Sequence, residues 1–69
     1  MKISARNILK GKVTEITKGA TTSHVRTDIG GGVLVTASIT NEAVTDLQLE
    51  KGTQAYAVIK ASDVMVGID

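Results

Sequence analysis

The sequence predicts one mainly β domain, all-β apart from a single short helix: a five-stranded antiparallel barrel of Greek-key winding. Three features of its 69 residues lead there. Val, Ile and Thr recur along the chain, seven glycines break it into short runs, and proline is absent, a composition that favours short strands joined by tight turns. Apolar positions alternate with a period of two through most runs, as half-buried strands require. One stretch after Thr40 shifts to helical spacing.

The first strand is expected over Asn7 to Thr17, with Leu9, Gly11 and Val13 on one face. Ile16 falls out of phase with them, so a bulge or strong twist is expected in this strand. Lys18 and Gly19 make the turn. From Thr21 to Ile29, Val25, Thr27 and Ile29 oppose His24, Arg26 and Asp28, which reads as a half-buried second strand. Gly30, Gly31 and Gly32 permit positive φ at a hairpin. The triplet lacks the Lys-Ser/Thr ending and the following helix of a phosphate-binding loop, so it is read as a turn. In the third strand Val33, Val35, Ala37 and Ile39 alternate with Leu34, Thr36, Ser38 and Thr40. Thr40 or Asn41 can then cap a helix running through Leu47, with Glu42 at its positive end and an apolar stripe of Ala43, Val44 and Leu47. After a turn at Glu50, Lys51 and Gly52, the fourth strand spans Thr53 to Lys60, with Ala55, Ala57 and Ile59 facing one way and Tyr56 and Val58 the other. Val64, Val66 and Ile68 give Ala61 to Asp69 the period of a fifth. Strand, hairpin, short helix, strand is the order of an OB-type barrel with the helix over an open end. No linker or repeat divides residues 1–69, so a single domain is expected.

A chain this short builds a thin core, since about 60 residues bury only about 60% of their unfolded surface. Its apolar residues are small, with Tyr56 the one aromatic. Such domains usually need a staple. There is no Cys for a disulfide, and one His cannot make a structural zinc centre, so self-association is the staple that remains. No apolar run resembles a secretory signal or a membrane span, which predicts a cytoplasmic protein without a membrane partner. The formal charge is +1, yet it is unevenly placed. Lys2, Arg6, Lys10, Lys12, Lys18 and Arg26 stand against Glu15 in the first 26 residues, and acids dominate the rest. A local attraction for anions and ordinary solvated charge are both consistent with this asymmetry.

Two segments share one chemical design. Ser4-Ala5-Arg6 and Lys60-Ala61-Ser62 each separate a cation from a hydroxyl by one alanine. In an extended chain each pair points to one side, and the alanine leaves the backbone N–H accessible. A tetrahedral dianion has four acceptor oxygens and nothing to donate, so it calls for N–H and O–H donors with one or two positive charges. Read without further context, these remain surface residues at strand ends. Thr22, Ser23 and His24 form a second polar run, suited to an anion or to a satisfied strand edge. With no Cys and no second His, a bare transition-metal cation site is not expected. Nor is catalysis: no Gly-x-Ser-x-Gly elbow marks a nucleophile, and no paired carboxylates share a site.

The opening Met-Lys-Ile-Ser-Ala-Arg-Asn closely resembles that of the molbindins, or Mop proteins, whose modules also end molybdate-responsive regulators and molybdate-transport ATPases. The likeness continues through Ser-Ala-Arg-Asn-Ile-Leu-Lys-Gly-Lys-Val, then Thr-Ala-Ser-Ile-Thr-Asn-Glu-Ala-Val at residues 36 to 44, Leu-Glu-Lys-Gly at 49 to 52 and Val-Ile-Lys-Ala-Ser at 58 to 62. It implies a non-enzymatic, TOBE-type OB-like subunit in a homohexamer, a trimer of dimers, that stores or buffers molybdate or tungstate between subunits. The family's principal oxyanion site maps onto Ser4, Arg6, Lys60, Ala61 and Ser62, with Thr40 from a neighbouring subunit. A second oxyanion site falls by analogy near Thr22, Ser23 and His24. Ser62 stands where relatives carry proline or threonine, and it keeps both a backbone N–H and a hydroxyl. The competing reading is a nucleic-acid-binding OB domain. Such domains stack bases on aromatic side chains, and Tyr56 alone gives that mechanism little to work with, so no nucleic-acid partner is expected.

Overall fold

The computed structural model describes the whole chain, Met1–Asp69. Four antiparallel strands form one sheet: β1 (Asn7–Lys18), β2 (Thr22–Asp28), β3 (Leu34–Thr40) and β4 (Gln54–Ile59), in the order β3-β2-β1-β4. The long β1 holds the sheet together. Its first half pairs with β4, from Asn7↔Ile59 to Lys12↔Gln54, and its second half pairs with β2, ending at Lys18↔Ser23. The phase change foreseen in this strand is a bulge between Val13 and Glu15. Thr14 is the extra residue, and it lets both Val13 and Ile16 face inward although three positions separate them. Gly11 lies where β1 passes over the end of β2: a Cβ there would stand 2.2 Å from the Asp28 carbonyl oxygen.

The β2–β3 hairpin turns through Gly30, Gly31 and Gly32, whose φ values of 99°, 61° and 78° are open to glycine at little cost. Asp28 Oδ1 accepts from the Gly30 N–H at 2.8 Å and starts the turn. The helix α1 (Asn41–Asp46) is capped by Thr40, whose hydroxyl oxygen accepts from the Ala43 N–H at 3.0 Å. Asn41 fastens this corner. Its side-chain N–H groups donate to the carbonyls of Gly19 and Ala20, and its Oδ1 accepts from the buried Ser23 hydroxyl. Leu47, assigned above to the helix's apolar stripe, is 64% exposed at the rim instead.

The fifth strand is not formed. Ala61–Asp63 is a single 3-10 turn, closed by the Asp63 N–H on the Lys60 carbonyl, and it directs the chain away from the sheet. Val64, whose N–H still donates to the Ala61 carbonyl, leads into an apolar tail of Met65, Val66 and Ile68, which have no backbone partner and are 93–96% exposed. The period-two pattern there is correct for a strand, but nothing in the same chain is positioned to receive it. The sheet is therefore open, with β3 and β4 as free edges.

Only Val13, Val25, Ser23 and Thr27 are buried. The concave face is instead a trough of about 700 Å³, lined by Val25, Val35, Ile39, Leu49, Ala57 and Ile59 among others. The accessible surface is 5537 Å², whereas a compact monomer of this size exposes about 4,100 Å². The radius of gyration, 12.6 Å, likewise exceeds the value of about 11 Å for a compact chain of this length. No helix is long and apolar enough to cross a membrane.

Candidate oxyanion site

Strand register brings the two cation-hydroxyl segments together. Asn7↔Ile59 is the last pair of the β1–β4 ladder, so Arg6 and Lys60 are the next residues out on neighbouring strands. Ser4 precedes the one and Ser62 follows the other, which places four of the expected site residues at a single corner of the sheet. The corner is held by more than backbone pairing, because the Asn7 side-chain amide donates to the Ile59 carbonyl at 3.2 Å.

This corner is rich in uncommitted donors. Ala61 and Ser62 open the 3-10 turn, and their N–H groups have no acceptor within the protomer. Arg6 and Lys60 are both exposed and form no ion pair. The chain's one salt bridge, Arg26 to Glu15 at 3.2 Å, lies across β1 and β2 and engages the only acid of the basic N-terminal third. Neither of these two positive charges is ion-paired within the protomer, although Asp63 closes the same 3-10 turn. The small Ala5 and Ala61 leave the backbone open between them.

Thr40 is elsewhere. It pairs with Thr22 beside the far end of β1, and no hydrogen bond joins it to Arg6, Lys60, Ala61 or Ser62. Its hydroxyl accepts the capping bond with a lone pair, so its proton is still available to donate.

The second polar run divides. Ser23 points inward, 2% exposed, and spends its hydroxyl on Asn41. Thr22 and His24 are exposed on the opposite face, where cross-strand pairing puts His24 between Thr17 and Ser38 and Thr22 beside Thr40. Three successive strand residues cannot converge on one ligand, because their side chains alternate. Sequence reasoning overlooked Thr17 and Ser38 as neighbours of His24. The overlooked signal was pairing register, which composition does not carry. No group of three or more His, Cys, Asp or Glu is placed to hold a metal ion.

The fold and this corner define a class: a small open β domain that presents two unpaired cations, two hydroxyls and free backbone N–H groups to a small anion. Residues 3–66 match the TOBE domain. The chain belongs to that family and, within it, to the molbindins. It is 52% identical over 69 residues to a probable molybdenum-pterin-binding protein of Haemophilus influenzae, with 100% of both chains covered. Among solved structures, apo MopII from Clostridium pasteurianum shares 42% identity and a TM-score of 0.91, covering 97% of this chain and all of its own. The cytoplasmic molybdate-binding protein ModG, with molybdate bound, shares 45% identity and a TM-score of 0.95, covering this whole chain and 49% of its own. These relatives have the same open-sheet, mainly β fold, described above with four strands rather than five.

Proposed function

We propose that this chain binds molybdate, with tungstate as its analogue, at contacts between copies of itself, and so stores or buffers the anion in the cytoplasm without chemically changing it. The observation that carries the reading is the corner where Arg6 and Lys60 flank the last β1–β4 pair beside the free N–H groups of Ala61 and Ser62. Ser4, Arg6, Lys60, Ala61 and Ser62 supply the donors of one protomer. Thr40 supplies the sixth group from a second copy, because within one chain it belongs to the other end of β1.

Assembly has its own physical support. The protomer exposes about 1,400 Å² more than a compact chain of its size, and a standard interface buries about 800 Å² per partner. An apolar trough, two free sheet edges and an exposed apolar tail are complementary surfaces when several copies meet. A homohexamer built as a trimer of dimers satisfies this demand. Thr22 and His24, with Thr17 and Ser38 beside them, present a hydroxyl-lined face for a second oxyanion where copies converge.

Selectivity follows from the donor set. Monohydrogen phosphate carries a proton that needs an acceptor, and the N–H groups and cations of the site offer none, so it is left unpaired wherever the Ser4, Ser62 and Thr40 hydroxyls are turned to donate. Sulfate has molybdate's charge but is smaller, so only a fixed spacing of donors discriminates against it. Calorimetric titration with molybdate, tungstate, sulfate and phosphate, paired with native mass spectrometry, tests the proposal. Binding of molybdate and tungstate by a multimer, with weak sulfate and phosphate, is expected. A monomer, or equal affinity for sulfate, sinks it.

A further inference from the structure

We infer that Asn7 sets the spacing of the oxyanion site and is thereby a determinant of its preference for molybdate over sulfate; this rests on the function proposed above. Asn7 lies one residue inside Arg6 on β1, and Ile59 lies one residue inside Lys60 on β4. Beyond their pairing the ladder stops, so the two donor-bearing segments leave the sheet as free ends. Free strand ends fray, and a frayed corner adapts to an anion of either size.

The Asn7 amide counters this. Its Nδ2 donates to the Ile59 carbonyl at 3.2 Å, a bond between residues 52 positions apart in sequence, at a half-buried position. The Ile59 carbonyl and the Lys60 N–H belong to one planar peptide, so holding the oxygen also fixes the orientation of the Lys60 nitrogen. That peptide leads directly into the 3-10 turn, whose Asp63 N–H bonds the Lys60 carbonyl and whose Ala61 and Ser62 N–H groups are free. On the other strand the same side chain is attached to the residue next to Arg6. One side chain thus connects both halves of the donor set without offering either anion a contact of its own. It is a positioning residue, and its effect belongs in the ratio of affinities rather than in binding as such.

The test uses the full-length assembled protein and three variants. Asn7→Leu removes the donor and keeps the number and branching of the side-chain heavy atoms. Thr14→Val removes another side-chain bond to a strand carbonyl, Thr14 Oγ1 to the Arg26 oxygen at 3.3 Å, away from the corner. Lys60→Met removes a proposed ligand. Molybdate and sulfate affinities are measured by calorimetry, and subunit count by native mass spectrometry. Asn7→Leu is expected to keep the subunit count, to weaken molybdate about five- to tenfold, the equivalent of one hydrogen bond, and to weaken sulfate less, so that the ratio narrows. Thr14→Val is expected to leave the ratio unchanged. An unchanged ratio in Asn7→Leu, or the same narrowing in Thr14→Val, overturns the inference while molybdate loss in Lys60→Met leaves the proposed site standing. Should Asn7→Leu fail to assemble, Asn7→Gln, which keeps the amide on a longer arm, decides by the same ratio. Failure of the unaltered protein to bind molybdate removes both readings.

Discussion

Replacing Lys60 with Met tests the site at one of its two exposed charges. Methionine keeps an unbranched apolar stem of similar reach, so the substitution removes the ammonium and little else. A hydrogen bond to a charged group contributes about 1.5–3 kcal/mol, which corresponds to about 12- to 160-fold in affinity. Lys60 is solvent-exposed in the protomer, where water and salt weaken the bond, so the lower part of that range applies, about 10- to 40-fold. General attraction between a cationic protein and a dianion must be separated from a specific contact. Lys51→Met changes the formal charge equally, but in the turn that enters β4 at Gln54, the opposite end of that strand from Ile59 and Lys60 and beside Val13 rather than Thr40. The Debye length is about 8 Å at physiological salt, so its charge is largely screened from the corner and its loss costs less than about twofold. Calorimetric titration of both variants with molybdate at physiological ionic strength and again at about 0.5 M salt makes the comparison. Equal losses in the two variants, vanishing together at high salt, would refute a built site and leave only diffuse electrostatics.

Other outcomes follow from the same geometry. Thr40→Ala loses the helix cap and a proposed anion donor, so it is expected to lower stability by about 1 kcal/mol and to weaken molybdate, whereas Thr40→Ser retains both functions; thermal unfolding and titration of the pair check this, and equal anion affinity in all three proteins would exclude Thr40 from the site. Asn41→Ala leaves the buried Ser23 hydroxyl without its partner and frees the Gly19 and Ala20 carbonyls, a loss of about 1–3 kcal/mol visible as a lower denaturant midpoint; a midpoint unchanged from the parent would show that water replaces the amide. Gly11→Ala forces a methyl against the Asp28 carbonyl oxygen and is expected to cost about 1–3 kcal/mol by the same measurement, and a neutral result would mean that β1 and β2 separate at little cost there. Deleting residues 64–69 removes the exposed apolar tail and is expected to reduce the subunit count in native mass spectrometry; an intact hexamer would show that the tail covers nothing.

The strands were legible because their signal is local. Val25 and Thr27 face inward and His24 and Arg26 outward, as alternation alone requires. The bulge was legible from a single inconsistency, Ile16 out of phase with Val13, because one extra residue is the least change that turns both inward. Thr40 as cap and the glycine triplet as a positive-φ turn were readable from the chemistry of those residue types. The fifth strand shows where local signals end. A period-two pattern states that Val64, Val66 and Ile68 share a face, but it does not say which sheet they meet, and in the protomer they meet none.

The same limit explains the site. Ser4-Ala5-Arg6 and Lys60-Ala61-Ser62 announce an anion only when placed side by side, and what places them is the β1–β4 register, a property of two strands and not of either. Asn7 was invisible for this reason: as one residue it is a polar start to a strand, and its meaning lies in a carbonyl 52 positions away. Thr40 carries the argument one level higher: no register within the chain delivers it to the Arg6–Lys60 corner, so its part in the proposed site rests on the proposed second copy. An open sheet with four buried residues leaves apolar surface uncovered, and the proposed site leaves its donor corner without Thr40, for the same structural reason. Under the proposed function, assembly and anion capture therefore make one requirement of this sequence: each copy would present its unfinished surface, apolar trough and cationic corner together, to another.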